Sequence, residues 1–282
     1  MKKLGKIFDA LSKSEKEHIK LSSKNEENTA LNELPPKIAE PLNISGSLYN
    51  IDRNLVALTD PGSFEAEQFK LLRTNLLFPV SGKPPRTIMI TSAVPGEGKS
   101  FVAANLAISI AQGINEHVLL MDCDIRRPSI HSSFGFSNVQ GLSDYLANGS
   151  SLSSSILKTK LDKLTILPGG KPRHNPAELL SSEKMSHLLE EVKTRYADRY
   201  IIVDSPPPQL TAETGAIARQ VDGIIIVVKF GSTRREMVED TLEKLGKEKI
   251  LGVIINRFDI QSKNYGYGKY GNYGKYRKYY GK

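Results

Sequence analysis

The residues best suited to chemistry lie in the segment SAVPGEGKS, which ends at Ser100. It matches the phosphate-binding pattern G-x(4)-G-K-[ST] except at its first position, which is Ala93 instead of Gly. Gly96 and Gly98 allow the backbone to curl so that its N–H groups point at phosphate oxygens. Lys99 places a cation at the β- and γ-phosphates, and the Ser100 hydroxyl can bind Mg²⁺. The segment predicts a site for a magnesium-bound nucleotide.

Three carboxylates follow apolar runs elsewhere in the chain. Asp122 and Asp124 end the run VLLMDCD, and Asp204 ends YIIVD. A single Asp after a strand is usually a helix cap or a turn residue. However, ligands of open α/β sheets bind beyond the carboxyl ends of the strands, so three carboxylates beside a phosphate loop favour metal and nucleotide chemistry. Cys123 lies between two of them and is interpreted as a small packing residue.

Alternating apolar runs and helical patterns must position these residues. The predicted strands are residues 87–92, 117–122, 164–169, 200–205, 223–229 and 250–256. The predicted helices are residues 64–78, 100–112, 176–196, 212–220 and 234–247. The strands lack polar alternation, as expected for a parallel sheet covered on both faces. The pattern predicts an α/β fold with a doubly wound, mostly parallel sheet of the P-loop NTPase type.

The chain divides into three parts. Residues 1–50 are predicted to be a mostly disordered leader, residues 51–263 the P-loop domain, and residues 264–282 a tail. In the leader, four apolar residues fall at helical spacing, at Leu4, Ile7, Phe8 and Leu11. They predict either a short amphipathic helix that docks on a partner or on a membrane surface, or a frayed, solvated terminus. Both interpretations stay open.

The tail has an unusual composition. Among its nineteen residues are seven Tyr, five Gly, five Lys or Arg and no acidic residue. It supplies five of the eight net positive charges of the chain. The remaining residues are close to neutral, so a broad nucleic-acid-binding face is not indicated. The Gly residues predict a pliable segment, and its charge would attract it to a site lined with phosphates and carboxylates.

The cysteine count and the N-terminus bear on the compartment. A single cysteine excludes an intramolecular disulfide and fits a reducing compartment. The first residues lack the apolar stretch of a signal peptide, and the longest aliphatic run, IIIVV, is far shorter than a membrane span. These features predict a cytoplasmic protein.

Three segments together resemble a known family. ITSAVPGEGKS, LLMDCDIRRPS and IIVDSPP resemble motifs A, A′ and B of the bacterial tyrosine autokinases (BY-kinases) of capsule and exopolysaccharide loci. The resemblance runs from about Thr59 to the end of the chain, and it includes the Tyr-rich C-terminus, which is the autophosphorylation cluster of that family. The related partitioning and division-site ATPases carry an extra Lys early in the phosphate loop, where this chain has Val94 and Pro95.

The resemblance implies an ATP- and Mg²⁺-dependent, non-specific protein-tyrosine kinase with assigned residues. The implied catalytic residues are Lys99, Asp122, Asp124 and Asp204, and the implied metal ligands are Ser100, Asp122 and Asp204. The implied nucleotide-binding residues are Pro95, Gly96, Glu97, Gly98, Lys99, Ser100, Phe101, Arg126 and Asn256, the last facing the adenine. The implied phosphate acceptors are Tyr265, Tyr267, Tyr270, Tyr273, Tyr276, Tyr279 and Tyr280.

The resemblance also implies assembly and partners. The subunit-contact helix of the family carries a Glu and two Arg at three-residue spacing, which correspond here to Glu67, Lys70 and Arg73. Lys cannot make the forked contacts of Arg, which weakens the expectation of a ring, and a solvated, salt-bridged helix face is the alternative. The implied partners are further copies of the chain, a separate membrane-bound polysaccharide co-polymerase that activates it, and a tyrosine phosphatase. No nucleic acid is expected, and the implied location is the inner face of the cell membrane.

Two other functions were weighed against the kinase. One is an ATPase switch of the partitioning or positioning type, whose basic tail binds nucleic acid or membrane through stacked Tyr rings and Lys–phosphate pairs. The other is a non-catalytic, nucleotide-gated interaction module, which would require a broken active site that the sequence does not contain. The phosphate loop and motif A′ favour the kinase.

Overall fold

A seven-stranded sheet forms the centre of the protein. The computed structural model describes residues 51–137, 139–195 and 198–258, apart from the side chains of Asn148 and Arg195. The strands are β1 (Thr87–Ser92), β2 (His117–Asp122), β3 (Leu157–Lys158), β4 (Leu164–Leu167), β5 (Arg199–Asp204), β6 (Gly223–Lys229) and β7 (Ile250–Asn256). Their order across the sheet is β3-β4-β2-β5-β1-β6-β7, and every neighbouring pair is parallel except β3 with β4. The predicted fold class is confirmed.

Helices alternate with the strands along the chain. They are α1 (Val56–Thr59), α2 (Phe64–Leu77), α3 (Lys99–Ala111), α4 (Ile130–Ser133), α5 (Leu142–Asn148), α6 (Leu152–Ser155), α7 (Pro176–Leu180), α8 (Glu183–Arg195), α9 (Glu213–Gln220) and α10 (Arg235–Leu245), and a 3₁₀ turn spans Lys247–Lys249. Across the described ranges, no helix combines the length and the apolar character needed to cross a bilayer.

The central strands are buried because helices cover both faces of the sheet. In β1, Ile88 packs into one core with residues of α2 and α3, whereas Met89 packs into the other core with residues of α8 and α9. Side chains that alternate between two apolar cores leave no polar face, which explains the continuous apolar runs in the sequence. The same packing holds the carboxyl ends of β1, β2 and β5 side by side.

The edge strand β7 departs from the prediction of coverage on both faces. Its residues alternate between partly buried and exposed, and Leu251, Val253 and Ile255 are 43%, 46% and 57% exposed. β6 is the only strand that pairs with β7 among the described residues, so β7 forms an edge of the sheet. Its Ile250 and Ile254 pack against the two cores. An apolar run therefore marks both central and edge strands in this sheet, and the prediction was wrong for β7.

The structure also divides one predicted helix. Residues 176–196 were predicted as a single helix, but α7 ends at Leu180 and α8 starts at Glu183. Ser181 and Ser182 separate them, and the Ser182 hydroxyl accepts a hydrogen bond from the backbone N–H of Met185. A hydrogen bond from side chain to backbone competes with the hydrogen bonds of a continuous helix. The apolar periodicity of the sequence continues across this break and therefore did not predict it. The short elements α1, α4, α5, α6 and β3 were not predicted.

Candidate active site

The phosphate loop connects β1 to the N-terminus of α3. Gly96 and Gly98 have φ angles of 81° and 97°, which an L-residue with a side chain rarely adopts. Ala93, where the motif has Gly, is fully buried, and Arg257 is the one described non-glycine residue with a positive φ. Ala93 therefore needs no glycine conformation, and the loop keeps its shape without the first Gly of the motif.

The buried side chain of Glu97 stabilises this loop. Its side chain is 1% exposed, and Oε2 accepts a hydrogen bond from the Val94 N–H at 2.9 Å. Oε1 accepts hydrogen bonds from the Thr233 hydroxyl and from the Lys229 N–H, which ties the loop to the segment after β6. The carboxylate therefore bonds to the protein itself and stabilises the loop, whereas the resemblance implied a nucleotide-binding role for Glu97.

A Glu97→Ala variant is expected to bind nucleotide about tenfold more weakly. It leaves the partly buried Val94 N–H without its acceptor and removes one of the acceptors of the Thr233 hydroxyl and the Lys229 N–H, which costs about 1–3 kcal/mol in the loop conformation that binds phosphate. Titration with a fluorescent ADP analogue measures the affinity. Glu243→Ala, which removes an exposed carboxylate from α10, serves as the control, and equal affinities of the two variants would contradict the role assigned to Glu97.

Lys99 lies among the carboxylates at the strand ends. Its Nζ is 2.8 Å from Asp124 Oδ2 and 3.4 Å from Asp204 Oδ1, and it donates a hydrogen bond to Ser100 Oγ at 3.2 Å. Burial lowers the pKa of this lysine, but Asp204, Asp124 and Asp122 outweigh burial and raise it above its ordinary value. The structure thus brings together the four residues predicted to be catalytic, with the lysine as the counter-charge of three aspartates.

Asp122 and Asp204 face one another across two neighbouring strands. They are direct partners in the register of β2 and β5, and both are 0% exposed. Asp122 Oδ2 accepts hydrogen bonds from the backbone N–H groups of Ser129 (2.9 Å) and Ile130 (3.1 Å). Burial and the charge of Asp204 raise the pKa of Asp122 to about 8, and burial likewise raises the pKa of Asp204.

The site contains more carboxyl groups than its single lysine can pair with, which suits a divalent cation. Three carboxylates surround one lysine, and Asp204 Oδ2 is buried without a hydrogen-bond partner among the described residues. Lys99 Nζ donates hydrogen bonds to both Ser100 Oγ (3.2 Å) and Asp204 Oδ1 (3.4 Å), so the Ser100 hydroxyl at the start of α3 lies close to the Asp204 carboxylate at the end of β5. No three acidic, histidine or cysteine side chains of the described residues form a preassembled metal site. Hard oxygen donors with an unused lone pair fit Mg²⁺.

The burial of Cys123 in an apolar core agrees with the packing role predicted for it. The side chain is fully buried between Asp122 and Asp124, and burial together with the neighbouring carboxylates raises the pKa of the thiol well above its ordinary value. A thiol that stays protonated is a poor nucleophile.

The remaining predicted nucleotide-binding residues lie around the loop in different ways. Pro95 is exposed at its tip. The Phe101 ring packs on Phe69 of α2, with ring centroids 5.7 Å apart, and so faces the core. Asn256 Nδ2 donates a hydrogen bond to the Glu97 carbonyl at 2.8 Å, and its Oδ1 accepts one from the Arg257 N–H. Asn256 therefore lies against the loop, and its contact with adenine stays a prediction.

Arg126 contacts a residue that the sequence analysis missed. Its Nε donates to Oε1 of Glu213, the first residue of α9, at 2.7 Å. Neither a motif nor a periodicity singled out Glu213, because its partner lies 87 positions earlier in the chain. Glu213 is 1% exposed, and only the folded structure identifies it as part of the site.

The three predicted subunit-contact residues bond within the chain. Lys70 Nζ lies 2.9 Å from Glu67 Oε2 and donates to the Pro61 carbonyl at 3.0 Å. Arg73 donates to the carbonyl of Ser109, in α3, at 2.7 Å. These contacts are compatible with a salt-bridged helix face, and the intersubunit role stays a prediction. The predicted acceptor tyrosines lie outside the described residues.

Comparison with known proteins places the chain in a large nucleotide-binding family. The family model of the CobQ/CobB/MinD/ParA nucleotide binding domain matches residues 88–267. This range contains the phosphate loop and all three aspartates of the site.

Individual proteins are similar over most of the chain. Tyrosine-protein kinase YwqD of Bacillus subtilis is 38% identical over 220 residues, which are 77% of this chain and 92% of that protein. The kinase domain of the Escherichia coli tyrosine kinase ETK covers 76% of this chain, and 84% of that domain is covered, with 32% identity and a TM-score of 0.66. The septum site-determining protein MinD of Pyrococcus horikoshii, solved with Mg-ADP, covers 61% of this chain and is 70% covered, with 26% identity and a TM-score of 0.52.

Proposed function

Because this chain belongs to the family of bacterial tyrosine kinases, within the larger CobQ/CobB/MinD/ParA nucleotide-binding group, we propose that it is an ATP-dependent protein tyrosine autokinase. Its acceptors are the seven tyrosines between Tyr265 and Tyr280. The observation that carries the proposal is the convergence of Asp122, Asp124 and Asp204 on Lys99 at the phosphate loop.

The reaction transfers the γ-phosphoryl group of ATP to a phenol. The phenolic oxygen bonds to the γ-phosphorus, the bond from phosphorus to the β–γ bridging oxygen breaks, and ADP leaves with that electron pair. Such transfers depend on positioning and on neutralising charge. The loop N–H groups and Lys99 hold the phosphates. Asp122 orients the phenol and accepts its proton, since a free phenol has a pKa of about 10 and attacks poorly.

Ser100, Asp122 and Asp204 would hold Mg²⁺, with Asp124 supporting them. When bound, the cation neutralises the charge of the phosphate oxygens during transfer. The unpartnered Oδ2 of Asp204 supports this assignment. Ser100 Oγ and Asp204 Oδ1 both accept hydrogen bonds from Lys99 Nζ, so the chain keeps both oxygen donors next to the phosphate loop.

The position of the tail root bears on whether transfer occurs within or between molecules. Phe258, the last described residue, packs on Phe230 beside β7. Four strand spacings separate β7 from β2, which is roughly 19 Å. A Gly-rich segment of nineteen residues spans roughly 24 Å, so the tail can reach its own site or that of a neighbour. We favour the neighbour, as implied by the resemblance to ring-forming kinases, with Glu67, Lys70 and Arg73 at the subunit contact.

The resemblance extends the proposal to the cellular setting. The kinase would control synthesis or export of an exopolysaccharide or capsule, at the inner face of the cell membrane. A separate membrane-bound co-polymerase would activate it, and a tyrosine phosphatase would reverse the modification. The relatives named as tyrosine-protein kinases support the kinase activity on which this setting rests.

Removal of the tail tests the proposed activity directly. The full chain is incubated with Mg-ATP and probed for phosphotyrosine beside a chain that ends at Ser262, with mass spectrometry to locate the phosphates. We expect phosphotyrosine on the full chain, between Tyr265 and Tyr280, and none on the shortened chain. Vigorous ATP hydrolysis by the full chain without any phosphotyrosine would contradict the kinase and favour an ATPase switch.

A further inference from the structure

The ion pair between Arg126 and Glu213 has features that the proposed reaction does not yet use. Glu213 is 1% exposed, yet only its Oε1 is engaged, by Arg126 Nε at 2.7 Å. Its Oε2 is buried and has no hydrogen-bond partner within the described part of the chain. The Arg126 side chain is 49% exposed. The fold therefore buries a carboxylate to hold one edge of a guanidinium group whose remainder is open to solvent.

The order of the strands places the backbone of Arg126 at the strand end that is farther from the phosphate loop than Asp204 is. The phosphate loop follows β1, Asp204 ends β5 and Asp122 ends β2, so the groups that hold nucleotide and phosphate run along the sheet in that direction. Arg126 follows β2, beyond the aspartates. In phosphoryl transfer the attacking and leaving oxygens lie in line on opposite sides of phosphorus. With ADP at the phosphate loop, a phenol that approaches from the side of β2 would meet Arg126, which follows that strand.

We propose that Glu213 is a positioning residue that fixes Arg126 as the cation on the acceptor side of the γ-phosphoryl group. The inference rests on the proposed kinase function and revises the simple nucleotide-binding role of Arg126. As the phenolic oxygen bonds to phosphorus and the bond to ADP breaks, the phenol proton passes to Asp122. The free guanidinium nitrogens contact the phosphoryl oxygens during transfer and then the phosphate ester on the tyrosine.

Arginine suits this role for a geometric reason. A guanidinium is a planar fork that contacts two phosphate oxygens at once, whereas an ammonium is a point charge on a flexible stem. The bond from Nε to Glu213 fixes the plane of the fork before substrate binds, which lowers the entropy lost on contact. Glu213 itself touches no reacting atom and acts through Arg126.

Steady-state autophosphorylation of the full chain tests the pair. The variants are Arg126→Lys, Glu213→Gln and the double variant, with Glu239→Gln as a control that breaks the exposed ion pair Arg235–Glu239 of α10. We expect both single variants to lower kcat at least tenfold, with the KM for ATP and the affinity for ADP changed less than twofold. The kcat of the double variant should equal that of the worse single variant, because removing a second member of a pair that acts as one unit causes no further loss. The control should stay within twofold of the unaltered chain.

Several outcomes would overturn the inference. An unchanged kcat in Arg126→Lys, which alters an exposed residue and should fold normally, would do so even if Glu213→Gln proved unstable. If the affinity for ADP fell by the same factor as kcat, Arg126 would be a nucleotide-binding residue. If the loss of kcat in the double variant equalled the product of the two single losses, the two residues would act independently. Absence of phosphotyrosine from the unaltered chain would overturn the proposed function and this inference with it.

Discussion

An Asp204→Asn variant should unfold at a higher temperature than the unaltered protein while losing kinase activity by about 10³-fold. The amide keeps an oxygen for the hydrogen bond that Oδ1 accepts from Lys99, and its nitrogen replaces Oδ2, which has no partner among the described residues. The change removes one of three carboxyl groups whose ionised forms repel one another and that share a single lysine. We expect a gain of about 1–2 kcal/mol in the free energy of unfolding without nucleotide.

The gain in stability should depend on pH. Burial raises the pKa of Asp204, so ionisation is less favourable in the folded protein than in the unfolded chain. The unaltered protein therefore loses stability as the pH rises from about 4, the ordinary value of an aspartate, towards the raised value. The Asn variant lacks that ionisation. Its advantage should be small near pH 4 and should grow towards neutral pH.

Thermal unfolding with and without Mg-ADP measures this trade between stability and activity. The expected rise in Tm at neutral pH is about 3–6 °C for a domain of this size, and Mg-ADP should stabilise the unaltered protein more than the variant. Asp162→Asn, at an exposed turn position, controls for the change of residue type. A lower Tm in Asp204→Asn would show that this carboxylate does not destabilise the folded protein. Retained kinase activity would show that it does not serve the reaction.

A Lys99→Met variant is expected to show the opposite change in stability. It leaves three aspartates without their counter-charge, which costs about 1–3 kcal/mol, and it removes the cation that would hold the phosphates. We expect loss of autophosphorylation by at least 10³-fold. Lys244→Met, on the exposed face of α10, should leave both Tm and activity unchanged.

The same variant distinguishes transfer within one molecule from transfer between molecules. Full-length Lys99→Met carries the tyrosines but lacks activity, whereas a chain that ends at Ser262 keeps the site but lacks the tyrosines. A mixture of the two with Mg-ATP should place phosphotyrosine on the Lys99→Met chain if neighbours phosphorylate each other. Phosphotyrosine on the unaltered chain, but none in the mixture, would assign the reaction to the molecule's own tail.

Local patterns predicted the framework of the site well. The boundaries of β1, β2, β6 and β7 follow directly from runs of apolar residues between turn residues, because buried parallel strands have no other composition available. The phosphate loop and its aspartates could be placed together because each follows such a strand. These predictions depend only on residues that lie close to one another in the sequence.

Contacts between distant segments could not be predicted in the same way. Glu97 lies in a loop whose side chains were expected to face the nucleotide, yet its carboxylate bonds to Lys229 and Thr233. Glu213 acquires its meaning only from Arg126. Exposure on the outer side of β7 depends on the strand lying at the edge of the sheet, which apolar content does not reveal.

The place of Lys99 between Asp124 and Asp204 makes nucleotide and metal mutually dependent ligands. A single ammonium group cannot neutralise the aspartates and the phosphates at the same time. A nucleotide that draws the lysine away exposes carboxylate repulsion that a divalent cation relieves, and a cation among the aspartates frees the lysine for the incoming phosphates. Each ligand should therefore tighten the other by one common factor, as reciprocity between linked binding equilibria requires, and free nucleotide without cation should bind poorly.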